Sequence, residues 1–178
     1  MKLPRPTTGD ADPYYFAYID LVPDGDVLEI LARGVAETRR VLSGVPAERE
    51  TFRYAPGKWS VRDVVGHVLD GERVFGNRAF HMGRGDPAPL PSMDQEIYAG
   101  TAGSDRRPLA DLLAELDLVR QANLSMFRGF DAAAWERTGT ASSKPFRVRS
   151  FPFILAGHEI HHRRVLAERY LAIQRAGP

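Results

Sequence analysis

The sequence predicts an all-α fold, a four-helix bundle, from a chain of 178 residues. Three observations predict it. Four segments carry apolar residues at helical spacing, strand-like alternation is nearly absent, and capping or breaking residues bound the segments. Hydrophobic residues make up 43% of the chain and charged residues 26%, a balance that builds one core with a solvated outer face.

Residues 1–23 are Pro-rich at first and then aromatic (Tyr14, Tyr15, Phe16, Tyr18), and read as an extended arm packed on the bundle. Residues 24–178 read as a single bundle domain. The first helix starts at Asp24 or Asp26, either of which caps a helix through its carboxylate. Its stripe is Val27, Ile30, Leu31, Val35, Thr38, Val41 and Leu42, and Gly44 with Pro46 ends it. The second helix opens on Ser60, with Asp63 three residues on in the place of a capping-box acid. Val61, Val64, Val65, Val68 and Phe75 carry its apolar side, to about Phe80 or Met82.

Residues 83–107 hold Gly83, Gly85, Pro87, Pro89, Pro91, Gly100 and Gly103, a connection too long for a simple helical hairpin. A short helix over Met93–Tyr98, capped by Ser92, fits inside it. Short connections favour antiparallel neighbours, whereas this one permits a crossover that sets the second and third helices parallel. The third helix has Pro108 in its first turn and buries Leu109, Leu112, Leu113, Leu116, Val119, Asn123, Phe127 and Phe130. A short extra turn runs from Asp131 to Trp135, residues 138–149 form a polar loop or β-ribbon, and the fourth helix runs from Ser150 to about Arg175.

Composition excludes several functions. The formal net charge is +1 with no basic block, which argues against a nucleic-acid binder. There is no cysteine, so disulfides, thiolate nucleophiles and cysteine-ligated zinc are excluded, and any sulfur chemistry must use a substrate's thiol. No stretch approaches the roughly 18 apolar residues of a membrane span. The first dozen residues lack the apolar run of a signal peptide. A cytoplasmic location is expected.

The chemistry lies in Gly157-His158-Glu159-Ile160-His161-His162. His158 and His162 are four apart, so on a helix they stand one turn above the other, about 40° apart round the axis. Both fall within the apolar stripe of Phe151, Ile154, Leu155, Val165 and Leu166. Two imidazoles in apolar surroundings need a partner, and a shared metal ion supplies one. A third ligand is usual, and His67, beside Val64 and Val68 on the second helix, is the best candidate. His81 is a poor one, about 21 Å further along the same helix.

Acids flank this group. Asp63 and Asp70 share the His67 side and either would orient an imidazole by accepting its second N–H. Glu159 would accept a proton from a water on the metal, and His161 is read as an outer donor or a surface residue. Arg73 and Arg78, on the helix of His67, are read first as solvated charges and second as anchors for a carboxylate. Residues 158–162 also spell H-E-x-x-H, the zincin peptidase signature. The downstream ligand that signature requires is missing, because Glu168 lies about 280° round the helix from His158.

Two stretches together carry a family likeness. Tyr54-Ala55-Pro56-Gly57-Lys58-Trp59-Ser60 through Gly66-His67-Val68-Leu69-Asp70-Gly71-Glu72-Arg73 resembles the start of the second helix in the DinB/YfiT superfamily, and Ala156–His162 resembles its last-helix motif. The resemblance implies a bundle of up-down-down-up connectivity with a long crossover between the second and third helices. It implies a three-histidine site at His67, His158 and His162 for one divalent ion, nickel or zinc first, and a homodimer. It further implies an enzyme on a small-molecule substrate, first a bacillithiol-type S-transferase with a low-molecular-weight thiol as co-substrate. The alternatives it leaves are a hydrolase that activates water on the metal, and a non-catalytic, stress-linked metal-binding protein. No substrate-binding residue is legible from it.

Overall fold

The computed structural model describes residues 2–171, which are mostly helical. A 3-10 turn (Pro13–Tyr15), capped by Asp12, leads directly into a short helix α1 (Phe16–Ile19). The expected extended arm is therefore partly helical. It is also pinned: Arg5 donates to the carbonyls of Ile19 and Val22, and Leu3, Ala11, Ile19 and Val22 are buried. α2 (Val27–Leu42) opens on Asp26, whose carboxylate accepts from the Leu28 amide.

α3 (Val61–Gly83) is the longest element, and its sequence caps its N-terminus. The Ser60 hydroxyl accepts from the Asp63 amide and the Asp63 carboxylate from the Ser60 amide, so two otherwise orphaned N–H groups are satisfied. α4 (Gln95–Ala102) occupies the crossover, two residues later than the expected start. Asp94 is its cap rather than Ser92, since the Asp94 carboxylate accepts from both Glu96 and Ile97 amides. Gly103, at φ 65°, closes it in the left-handed conformation.

α5 (Leu109–Arg128) follows, with Pro108 just outside it as the cap rather than inside its first turn. α6 (Ala132–Glu136) is the expected extra turn, capped by Asp131. β1 (Thr138–Ala141) and β2 (Lys144–Arg147) pair antiparallel, in register Thr138 with Arg147 and Ala141 with Lys144. Ser142 and Ser143, at φ 53° and 58°, make the tight turn, so the polar segment is a β-ribbon. Leu90 adds to its edge, exchanging hydrogen bonds with Thr140 and Ser142, which ties the crossover to the ribbon.

α7 (Ser150–Val165) is followed by a wider π turn over Leu166–Leu171. The expected end near Arg175 lies outside the described residues. α2, α3, α5 and α7 pack on one another around the core. Phe75, Phe127, Phe146, Phe151 and Ile154 fill the lower core, and Val61, Val64, Leu109, Leu112 and Leu166 the upper. Each such side chain contributes about 1.5–3 kcal/mol on burial. None of the described helices is long and apolar enough to cross a membrane.

Candidate metal centre

α3 presents His67 and α7 presents His158 and His162 to the same point. One ring nitrogen from each lies within 4.8 Å of the others. The ring centres of His158 and His162 are 4.5 Å apart, and that of His67 is 4.8 Å from each. The Nε2 atoms of His67 and His158 approach to 2.9 Å. Two glycines permit this crowding. A Cβ on Gly71 would lie 3.0 Å from the His158 ring, so the imidazole rests on bare α3 backbone. A Cβ on Gly157 would run into the Tyr18 carbonyl, so only glycine lets α1 dock beside His158.

Aromatic rings enclose the group. Trp59 lies against His67 at 4.7 Å, and Tyr18 meets His158 and His161 edge-on at 5.3 and 5.5 Å. Burial disfavours charge on the imidazoles, and repulsion within the cluster, from neighbouring His161 as well, adds to it. The pKa of His67 falls to about 4 and that of His162 to about 3, while His158 is pushed well below the ordinary value. All three are therefore neutral at pH 7, the form that binds a metal. The buried Nδ1 of His67 has no hydrogen-bond partner among the described residues. Three converging neutral imidazoles, with a polar atom left unsatisfied, fit a divalent cation as ligand set.

These depressed values set a pH dependence for the metal-free protein. An unfolded imidazole titrates near 6.5 and the folded ones only near 4 or below, so the unfolded chain binds more protons between those values. Stability is then flat above about pH 6.5 and falls as the pH drops toward about 4. Urea midpoints of chelator-treated protein at pH 7.5 and pH 5 test this. A midpoint unchanged or higher at pH 5 would refute it.

The acids expected around the site are placed differently. Glu159 is buried, with one oxygen accepting from Thr38 at 2.7 Å and the other from Arg120 at 2.9 Å, so it does not stand free as a proton acceptor. Asp63 is held in the α3 cap and by Arg53 at 2.8 Å. Asp70 is half-buried, and burial raises its pKa, but it does not accept from the unpartnered His67 nitrogen. Neither aspartate orients His67. His161 meets Tyr18 and His162 edge-on and is half-buried. His81 pairs with Asp86 at 2.7 Å, near the end of α3 and apart from the three, as its spacing implied.

A second buried cluster had no place in the sequence reading. Arg120 of α5 donates from Nε and Nη2 to the two oxygens of Glu72 at 2.9 Å, and from Nη1 to Glu159 and the Leu31 carbonyl. Asn123 adds a bond to Glu72 at 3.0 Å. Burial works against the Arg120 charge, but the two carboxylates outweigh it and raise its pKa. Glu72 follows Gly71 and Glu159 follows His158, so this network locks the helix segments that meet at the imidazoles. The signal was present: Arg120 interrupts the stripe of Leu116, Leu124 and Phe127 at the four-residue spacing of a buried position.

Two cavities reach the histidines. One of about 340 Å³ is lined by His67 and His158 with Tyr14, Tyr15, Tyr18, Phe75 and Arg78 among others. Another, of about 270 Å³, is lined by His161 and His162 with Tyr54, Trp59, Val165 and Tyr170 among others. Gln95 of α4 borders both.

Comparison with known proteins adds the lineage of this arrangement. A family model described as the DinB superfamily matches residues 30–166. Among solved structures, the chain is similar to YfiT from Bacillus subtilis, a probable metal-dependent hydrolase with an unusual four-helix bundle topology. The TM-score is 0.75 at 16% identity, over 83% of this chain and 86% of that one. It is also similar to a mycothiol-dependent maleylpyruvate isomerase, with a TM-score of 0.67 at 15% identity, over 88% of this chain and 68% of that one. No curated protein matches it by sequence.

Proposed function

This chain belongs to the DinB superfamily, and on that premise we propose that it is a divalent-metal-dependent enzyme, first a low-molecular-weight-thiol S-transferase of bacillithiol type. His67, His158 and His162 hold the ion, nickel or zinc. The ion supplies a lowered pKa for a thiol or water brought to it. The observation that carries the transferase reading is the pair of cavities meeting at the histidines, which gives a thiol and an electrophile separate approaches. Trp59, Tyr18 and Phe75 exclude bulk water from the imidazoles. The similar mycothiol-dependent isomerase supports a thiol co-substrate.

A hydrolase that uses water in place of the thiol is the second reading, supported by the likeness to YfiT. Incubating zinc- or nickel-loaded protein with 1-chloro-2,4-dinitrobenzene, with and without each of bacillithiol, mycothiol and glutathione, separates the two. We expect conjugation that requires one thiol and disappears in His162→Ala. Thiol-independent turnover of an ester or amide substrate, with no conjugation, would replace the transferase by the hydrolase.

The up-down-down-up order belongs to the same reading. Arg39 beside Leu113 and Arg120 beside Leu31 support antiparallel α2 and α5. Glu72 beside Arg120 and Gly83 beside Phe130 support parallel α3 and α5, across the crossover. His67 beside His162 and Phe75 beside Phe151 support antiparallel α3 and α7. A single bundle domain with residues 1–23 as its pinned arm, a cytoplasmic location and a homodimer complete the reading.

A further inference from the structure

Two arginines are buried in the described residues, and their partners differ. Arg120 is neutralised by two carboxylates. Arg78 is only 3% exposed, yet it forms no ion pair among the described residues. Its Nη2 donates to the Pro91 carbonyl at 2.9 Å and the Ser142 hydroxyl at 2.8 Å, both neutral. A guanidinium carries five N–H donors, so several remain for another acceptor. A buried cation without a counter-charge is costly, and an anion brought beside it recovers that cost.

Arg78 borders the 340 Å³ cavity of His67 and His158, whose lining includes no aspartate or glutamate among the described residues. The guanidinium carbon stands 5.3 Å from the Phe75 ring centre, and that ring lies 6.5 Å from the His158 ring; because His158 rests on Gly71, the three follow the face of α3 that carries residues 71, 75 and 78, as a row along one wall. Tyr15 shares the cavity, and the nearby Arg78 charge opposes the burial that raises its phenol's pKa. Arg73, five residues earlier on α3 and so about 140° round the helix, differs in kind. It is half-exposed and paired with Glu115.

We propose that Arg78 is the carboxylate anchor of the metal-facing cavity, and that the molecule bound there is a small carboxylate with a planar or apolar body against Phe75 and Tyr15. The fork of a guanidinium matches a carboxylate in shape as well as charge. The row from Arg78 through Phe75 to His158 sets the ligand's direction, with its acid end at Arg78 and its reacting end toward the imidazoles. This specificity rests on the enzyme reading for its purpose, but the binding does not need the metal.

Benzoate and its neutral isostere benzamide test the proposal by calorimetric titration, in metal-loaded and chelator-treated protein. We expect benzoate to bind both forms, with benzamide weaker by roughly tenfold or more, as the loss of a charge-assisted pair implies. Arg78→Gln should erase the preference, Arg78→Lys keep part of it, and Arg73→Gln leave it whole. Equal binding of the two probes, binding of neither, or a preference that survives Arg78→Gln would each overturn the proposal. Should Arg78→Gln fail to fold, the wild-type comparison of the two probes and the Arg78→Lys variant still decide it. Benzoate that binds only the metal-loaded form, unaffected by Arg78→Gln, would show the carboxylate going to the ion. That outcome overturns the anchor and leaves the enzyme reading standing. Anchoring in a protein that takes up no metal would do the reverse.

Discussion

Replacing His158 by alanine is expected to abolish stoichiometric metal binding. The argument is geometric. His158 is the imidazole whose Nε2 meets that of His67 at 2.9 Å, and its ring rests on Gly71 with Tyr18 and Phe75 against it. Glu159, the carboxylate next to it in sequence, does not take its place, because Thr38 and Arg120 engage it. Losing even an outer partner of a ligand weakens a metal site about 10- to 100-fold, so losing one ligand of three should exceed about 100-fold. His67→Ala and His162→Ala should do the same, and His81→Ala should not, since His81 is paired with Asp86. Elemental analysis of untagged protein and titration with zinc or nickel measure this. Normal uptake by His67→Ala would remove the third ligand from the site. Urea midpoints of the metal-free variants separate loss of a ligand from loss of the fold.

The second large effect concerns Arg120→Met. The arginine lies between Glu72 and Glu159, and all three are at most 2% exposed. Removing the cation leaves two carboxylates in the core with no counter-charge, a change that costs about 3–5 kcal/mol in comparable buried pairs. In a chain of this size that corresponds to a fall in melting temperature on the order of 10 °C. Leaving the acids uncompensated is the main source of that loss. Arg120→Met combined with Glu72→Gln and Glu159→Gln should therefore recover much of the stability. A single Arg120→Met protein that melts with the wild type would show that the network contributes little. Weaker metal binding in the single variant is expected to accompany the loss, because Glu72 and Glu159 each adjoin a residue that forms the imidazole site.

The four main helices and the three histidines were legible in the sequence because each rests on a local rule. Asp26 and Ser60 announce helix starts through their own side chains, and a four-residue spacing puts His158 and His162 on one face whatever surrounds them. The roles of the acids were not legible, because they depend on which neighbouring helix each side chain meets. Glu159 is one residue from a ligand, yet the 100° step round α7 carries it to α2 and α5. Asp63 was read both as a cap and as a partner for His67, and the capping geometry leaves it only the first role. Ser92 lost the start of α4 to Asp94, a difference of two residues in a segment with no strong period. Arg73 and Arg78 are five residues apart, about 140° round α3, so helical phase already sets Arg78 with Phe75 and Met82; its neutral partners, Pro91 and Ser142, come from the crossover and the ribbon and were not legible.

Gly71 and Phe75 come from α3 and His158 from α7, but Ser92, Met93, Gln95 and Ser142 of the same lining come from the crossover and the ribbon, and the three tyrosines come from the arm. The imidazole floor and the rest of the lining are thus written in different stretches of the gene. Substitutions among residues 14–18, 92–95 or 142 can change which molecule is admitted while the helices that hold the imidazoles stay as they are. A lineage built this way can exchange one clientele for another by small edits to its connections, retaining the same inherited chemistry at the floor.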